Sequence, residues 1–211
     1  MFEELLSVMT PLNRPYEIIF VNDGSSDGSR EIIDGFRNHL PEVVRIIHLP
    51  VRSGQTYGLK RGLEAAKGEL AITLDADLQN DPADIPRMLK KMREGGYDCM
   101  CGWRRARQDT LLKAALSKFG NIVQRVFTGM KIHDVSCTLR VYNRKCIERM
   151  ALNWEGQHRF IPLSLSLQGC RIGEVVANHR SRKFGMTKYN HKRVFRVAVD
   201  FLKILKARGR A

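Results

Sequence analysis

The chain predicts an α/β fold, a mostly parallel sheet flanked by helices. Three observations carry this. From Glu17 to Gly102, apolar runs of strand length alternate with segments of helical length, and strand alternating with helix means parallel strands joined by crossovers. Two of those runs end in acids, Asp23 and Asp75, on the side where such sheets bind ligands, beyond the carboxyl ends of the strands. No internal repeat, low-complexity tract or linker divides the 211 residues, a length that suits one domain with a sizeable core.

The elements follow in order. Phe2–Met9 is a short helix candidate stopped near Pro11. Glu17–Asn22 reads as a buried strand, and Asp27–His39 as a helix with Asp27 or Ser26 as N-cap. Val43–His48 is the second strand. Gly54–Ala66 is a helix closed by Lys67-Gly68, and Glu69–Leu74 is the third strand. Asp84–Glu94 is a helix followed by Gly95-Gly96, and Asp98–Gly102 is the fourth strand. The second half is less regular. Leu111–Phe127 reads as a helix, Leu139–Tyr142 as a short strand, and Arg159–Gln168 as a helix interrupted near Pro162. Arg171–Asn178 reads as a strand. Arg193–Lys206 reads as a helix with Val194, Val197, Phe201 and Leu205 on one stripe and Arg193, Arg196, Lys203 and Lys206 elsewhere. The expected organisation is a domain over 1–190 and a basic amphipathic helix over 191–211.

Charge placement is more telling than its size. Arg171–Ala211 holds twelve Lys/Arg against two acids, net +10, whereas the first 170 residues hold 24 against 20, net +4. A basic end of this kind fits an anionic partner such as phosphate or a membrane surface; its plainer readings are a solvated tail and a core-facing helix. No apolar run approaches the roughly 18–20 residues of a membrane span, and Met1-Phe2-Glu3-Glu4 starts acidic, unlike a signal peptide. Five cysteines without Cys-x-x-Cys pairing read as reduced, mostly buried thiols in a cytosolic setting. A nucleic-acid reader would be basic too, but no reading motif or basic–aromatic interleaving is present, so nucleic acid is not expected.

The chemistry concentrates in Leu70-Ala71-Ile72-Thr73-Leu74-Asp75-Ala76-Asp77-Leu78-Gln79. Along an extended strand, Asp75 and Asp77 point the same way. They repel each other unless a cation lies between them. Such oxygen ligands suit Mg2+ or Mn2+, usually held by one or two carboxylates plus substrate phosphates. A bare Asp-x-Asp also arises as an ordinary turn after a strand. A second cluster, Val21-Asn22-Asp23-Gly24-Ser25-Ser26-Asp27-Gly28-Ser29, follows a strand and opens a helix. Its glycines permit a tight turn, its serines and helix start supply donors, and Asp23 can accept from a base or ribose.

Taken together these motifs resemble the glycosyltransferases of GT-A fold in the large inverting family that makes polyprenol-phosphate sugars, including dolichol-phosphate mannose synthase and bacterial undecaprenyl-phosphate glycosyltransferases. The resemblance runs from about Tyr16 to about Arg196. Ile19–Gly28 resembles the nucleotide-binding turn. Gly54-Gln55 with Gly58 and Arg61-Gly62 resembles the loop and helix that follow. Asp75-Ala76-Asp77-Leu78-Gln79 with Asp81-Pro82 resembles the metal motif. Arg182-Lys183-Phe184-Gly185-Met186-Thr187-Lys188-Tyr189 resembles a late Arg-x-x-Gly-x-Ser-Lys-Tyr segment, with Thr187 in place of Ser. His158-Arg159-Phe160 fits a further recurring segment.

The resemblance implies roles. Asp23, Gly24, Ser25 and Asp75 would bind the donor nucleotide, and Asp77 and Gln79 the Mg2+ or Mn2+ with the diphosphate. Arg104, Arg125, Arg182 and Lys188 would bind the acceptor phosphate. Asp75, Asp77, Arg182 and Lys188 would be catalytic. Asp134 matches a family acid of no assigned role, and His133 and His158 read as surface or packing residues. The implied reaction moves a hexose, with inversion, from GDP-mannose or a UDP-sugar to a polyprenyl or dolichyl phosphate, at the cytoplasmic face of a membrane in peripheral contact. Family members begin with a strand carrying a Pro-x-Tyr-Asn-Glu-like segment. This chain begins within what would be the next helix, so open edges on the neighbouring strands and a fragmentary or non-catalytic relative are also expected readings, as is a transferase for a non-lipid glycan. Polymer-making relatives carry Gln-x-x-Arg-Trp late in the chain, which is absent here.

Overall fold

The computed structural model describes residues 1–105, 132–181, 199–200 and 203–204. Within these, the elements are α1 (Phe2–Met9), β1 (Ile18–Asp23), α2 (Ser29–His39), β2 (Val44–Leu49), α3 (Gln55–Ala65), β3 (Leu70–Thr73), α4 (Ile85–Gly95), β4 (Cys99–Trp103), β5 (Arg140–Asn143), α5 (Arg144–Arg149), α6 (Ile161–Leu167) and β6 (Ile172–Val176). Short 3-10 turns precede α4 and α6. The helix expected at Leu111–Phe127 and most of that expected at Arg193–Lys206 lie outside the described residues.

The strands form two groups. β1 pairs with β2 in parallel, and a four-stranded sheet runs β3-β5-β4-β6. β4 and β6 are parallel, but β5 runs against both β3 and β4. The expectation of a mostly parallel sheet is therefore corrected: among the described residues two of the four strand pairings are antiparallel. The reversal has a consequence for the site. β5 starts at the edge where β3 and β4 end, so the loop 132–139 that leads into it lies beside the residues following those two strands. β1 pairs only with β2, and β3 only with β5, among the described residues.

Period-2 alternation assigns the two faces of the sheet. Cys99, Cys101 and Tyr142 pack with Leu63, Phe160, Leu163 and Leu165 on one side; Met100 and Val141 pack with Phe2, Ile18, Val44, Ile85 and Met88 on the other. β4 and β5 are covered on both faces, which is why their sequences carry no polar alternation. Phe2 stacks on Phe36 at 4.4 Å and holds α1 against α2. Ile204 joins the first core, and Asp200 beside it is 2% exposed, 3.9 Å from Arg159. These described positions of the basic C-terminal segment therefore pack on the protein.

Local boundaries differ from expectation for identifiable reasons. α2 begins at Ser29 with Gly28 as its cap, at φ +77°, rather than Asp27 or Ser26. Asp27 instead accepts from the Ser29 N–H and hydroxyl. Pro162 does not interrupt a helix; it lies in the first turn of α6, where a missing N–H costs nothing. α3 approaches β1 closely because Gly62 has no side chain: a Cβ there would lie 3.2 Å from Val21 Cγ2. All five cysteines are buried free thiols. Burial pushes the Cys137 thiol up to about 11 and raises those of Cys99 and Cys146 well above the usual range, so they pack rather than react.

Candidate active site

The first functional turn follows β1. Asp23 does not stand free. Its carboxylate accepts the backbone N–H of Ser53 at 2.6 Å and of Gly54 at 2.9 Å. It thereby fixes the loop that opens α3, and the Ser25 N–H is in turn held by Asn22 at 3.0 Å. Gly24 has φ +63°, and a Cβ there would meet Arg52 N at 2.8 Å and Val51 C at 2.9 Å. Both contacts are backbone and cannot swing aside. Gly24→Ala is thus expected to displace the 51–54 loop and strain the turn by about 1–2 kcal/mol. Calorimetry should show Mn2+–nucleotide binding weakened about tenfold with a modest loss of melting temperature.

β3 ends at Thr73, so Asp75 and Asp77 lie in the turn beyond it and not on an extended strand. Their proximity survives this correction. Burial first, and the Asp77 charge second, push the Asp75 carboxyl above the usual aspartate range, while Thr138, Arg140 and Arg104 pull it back. Asp77 Oδ1 accepts the Gln79 N–H at 3.1 Å. Between them Leu78 sits at φ +64°, a left-handed conformation costly for a branched side chain, and such strain persists only where its surroundings enforce it. Here the enforcement comes from Asp77 on one side and from Asn80 on the other. Asn80 is 3% exposed and bonded to Thr138 Oγ1 at 2.8 Å.

Residues 54 and 55 join the two acids. Gly54 N–H binds Asp23, and Gln55 Nε2 donates to Asp75 Oδ1 at 2.9 Å. The acids after β1 and β3, strands of two separate groups, are therefore linked through consecutive residues at the start of α3.

The third component follows β4. Arg104 makes a two-pronged pair with Asp134, Nε to Oδ2 at 2.7 Å and Nη2 to Oδ1 at 3.0 Å, and Nη2 also donates to Ser136 Oγ at 2.8 Å. The Asp134 carboxylate thereby fixes the orientation of the Arg104 guanidinium. Glu174 of β6 braces this loop by accepting the N–H groups of His133 and Asp134. His133 also stacks on Trp103 with centroids 4.2 Å apart. β3 and β4 both run against β5 and so end at the same edge of that sheet, which puts the acids after β3 and Arg104 after β4 on one edge; the Arg104 charge helps to pull the Asp75 carboxyl down. Arg125, Arg182 and Lys188 lie outside the described residues.

Several supporting residues, the recurring His158-Arg159-Phe160 segment apart, left no local signal in the sequence. Glu155 accepts the Thr56 N–H at 3.0 Å near the start of α3, and Thr56 Oγ1 lies 2.7 Å from His158 Nδ1. His158 is thus a buried brace of that helix, the packing alternative of the two readings expected for it. Arg140, 3% exposed, donates to the carbonyls of Val135 and His158 at 2.6 and 3.0 Å, tying the Asp134 loop to that brace.

The donor set suits a hard cation only in part. Among the described residues no three His, Cys, Asp or Glu side chains form a metal-holding group. Two repelling carboxylates and an amide match Mg2+ or Mn2+, which keep waters and take substrate phosphates rather than a closed protein cage.

Residues 3–150 match the family model described as Glycosyl transferase family 2. The chain is 35% identical over 206 residues to dodecaprenyl-phosphate galacturonate synthase of Rhizobium johnstonii, covering 96% of this chain and 61% of that protein. It is 36% identical over 194 residues to undecaprenyl-phosphate 4-deoxy-4-formamido-L-arabinose transferase of Yersinia enterocolitica, covering 92% of this chain and 59% of that one. The chain thus spans about three fifths of the length of these relatives. Glucosyl-3-phosphoglycerate synthase from Mycobacterium tuberculosis, crystallised with Mn2+, UDP-glucose and glycerol 3-phosphate, superposes with a TM-score of 0.68 at 18% identity, covering 96% of this chain and 74% of that one. That likeness bears on the fold alone, which is GT-A. On its sequence match and on its close relatives, the chain belongs to glycosyl transferase family 2.

Proposed function

We propose that this chain transfers a hexose from a nucleotide sugar, GDP-mannose or a UDP-sugar, to a polyprenyl or dolichyl phosphate with inversion. The observation that carries the reading is the convergence on one sheet edge of an acidic pair, Asp75 and Asp77, with a fixed cation, Arg104. The names of the two relatives support a polyprenyl-phosphate acceptor.

In the proposed step, an acceptor phosphate oxygen attacks the anomeric carbon as the bond from that carbon to the nucleoside diphosphate breaks, and the diphosphate carries away the electron pair. The acceptor is already an anion near neutral pH, so no side chain need remove a proton. The residues have to bring two anions together. Asp77 and Gln79 would hold Mg2+ or Mn2+. Bound there, the metal would supply Lewis-acid neutralisation of the departing diphosphate. Asp23, Gly24, Ser25 and Asp75 would place the nucleotide. Arg104, Arg125, Arg182 and Lys188 would receive and orient the acceptor phosphate. The basic residues of 191–211 would favour a peripheral position at the cytoplasmic face of a membrane; among the described residues no helix is long and apolar enough to cross one.

The direct test is a panel of GDP- and UDP-sugars assayed with Mn2+, membranes and a short polyprenyl phosphate. Transfer from one donor is the expected result, and no transfer from any would overturn the proposal. Arg182→Ala is expected to raise the KM for the lipid phosphate about tenfold more than that for the donor; equal loss of both contradicts an acceptor role.

A further inference from the structure

The metal motif is physically stitched to the segment that runs into Arg182. After Asp77 the chain continues through Gln79–Asp84; after β6 it continues through Val176–Arg180. Asn80 and His179 form a β-bridge, and the Arg180 N–H donates to the Gln79 carbonyl at 2.9 Å. Asn178 Nδ2 donates to Asp81 Oδ2 at 2.9 Å, and the Asn178 N–H to Asp84 Oδ2 at 2.6 Å. Arg87 of α4 spans the same gap, reaching Asp84 and the Val176 carbonyl.

At the centre is an ion pair. Arg180 Nη2 lies 2.7 Å from Asp81 Oδ1, and Nε donates to Oδ2 at 3.3 Å. Asp81 Oδ1 also accepts the Ala83 N–H at 3.0 Å, so both carboxylate oxygens are engaged twice. Burial opposes the Asp81 charge, but the Ala83 N–H, Asn178 and Arg180 outweigh it and hold the carboxyl below the usual aspartate range. Glu4 of α1 braces Arg180 from elsewhere, at 2.7 Å. Asp81 stands four residues after Asp77, and Arg180 two before Arg182.

We infer that the Asp81–Arg180 pair is a positioning joint that couples occupancy of the donor loop to placement of the acceptor-phosphate segment. This rests on the proposed roles of Asp77 and Arg182. The physical need is plain: reacting atoms must meet at near-attack distance between two anions, and about 1 Å of misplacement can cost on the order of 100-fold in rate. A loop strained at Leu78 and pinned at Gln79 by the Arg180 N–H cannot shift alone; movement of either segment is passed to the other.

The test looks for cross-effects in the full chain, by calorimetry well below the melting temperature. The probes are UDP and GDP, each with Mn2+, and farnesyl phosphate. Asp81→Asn, in the donor loop, is expected to weaken farnesyl phosphate binding about tenfold. Arg180→Gln, in the acceptor segment, is expected to weaken Mn2+–nucleotide binding by a similar factor, and the double substitution to do little more than either. Arg180→Lys, which keeps the charge without the two-pronged geometry, should fall between and serves if Arg180→Gln does not fold. A purely structural staple would lower the melting temperature without these crossed losses. If each variant affects only its own side, within twofold on the other, the joint is refuted. If the unsubstituted chain binds neither nucleotide in a Mn2+-dependent way, the donor-site reading itself fails, and the joint with it.

Discussion

Asp77→Asn is expected to abolish metal-dependent transfer while leaving the fold as stable as before, or slightly more so without metal. The second half of that statement follows from the charges. Asp75 is driven above the usual aspartate range by burial and then by Asp77. Neutralising Asp77 removes that repulsion, and Asn retains the Oδ1 acceptor that holds the Gln79 N–H. The first half follows from the proposed donor site. Losing one of two carboxylates removes metal affinity that no other described cluster replaces. A loss of about 3 kcal/mol of transition-state stabilisation is already more than 100-fold in rate. Differential scanning should show Mn2+ with nucleotide raising the melting temperature of the unsubstituted chain but not of the variant. Asp77→Ala should match it in activity yet be less stable, because it also frees the turn around Leu78 at φ +64°. Turnover with an unchanged metal requirement would remove Asp77 from the metal site.

Local chemistry made part of this architecture legible. The acids after β1 and β3 were recognisable because an apolar run ending in a carboxylate is a strong local pattern, and the start of α3 then links them through Gly54 and Gln55. The direction of β5 was not legible. Arg140–Asn143 is four residues long and covered on both faces, so no alternation marks which neighbour it joins or which way it runs. α5 was missed though Asn143 caps it, accepting the Cys146 N–H at 2.9 Å; six residues carry too little period to detect. The braces of the site were invisible for another reason. Thr56 meets Glu155 and Asp81 meets Arg180 across 99 residues in each case. Asp81 was visible as part of the metal motif, but nothing within either segment pairs it with Arg180 or Thr56 with Glu155. Asp134 was visible as a motif residue, but its function is defined only by contact with Arg104.

That contact sets the other large effect. Asp134→Ala is expected to destabilise the protein by about 3–5 kcal/mol, because it removes the carboxylate that pairs two-pronged with a mostly buried guanidinium. The Arg104 side chain is 13% exposed and that of Asp134 5%, too little for water to replace the lost partner. For a chain of this size the melting temperature should fall by roughly 6–20 °C. Function should fail on both sides of the site. Arg104 loses the two-pronged geometry that aims it, and without the Asp134 carboxylate its charge acts harder on Asp75 and Asp77, opposing a cation there. Stability and function can be separated by exploiting the rule that a buried ion pair is costly to break but often cheap to replace. Arg104→Met combined with Asp134→Leu removes both charges at similar volume. It should recover most of the lost melting temperature, and Mn2+–nucleotide binding with it, because the guanidinium is removed together with its carboxylate. It should not recover use of the lipid phosphate. If the double substitution restores acceptor KM as well as stability, Arg104 serves the fold alone, and the basic half of the site must be built from the other arginines and lysines.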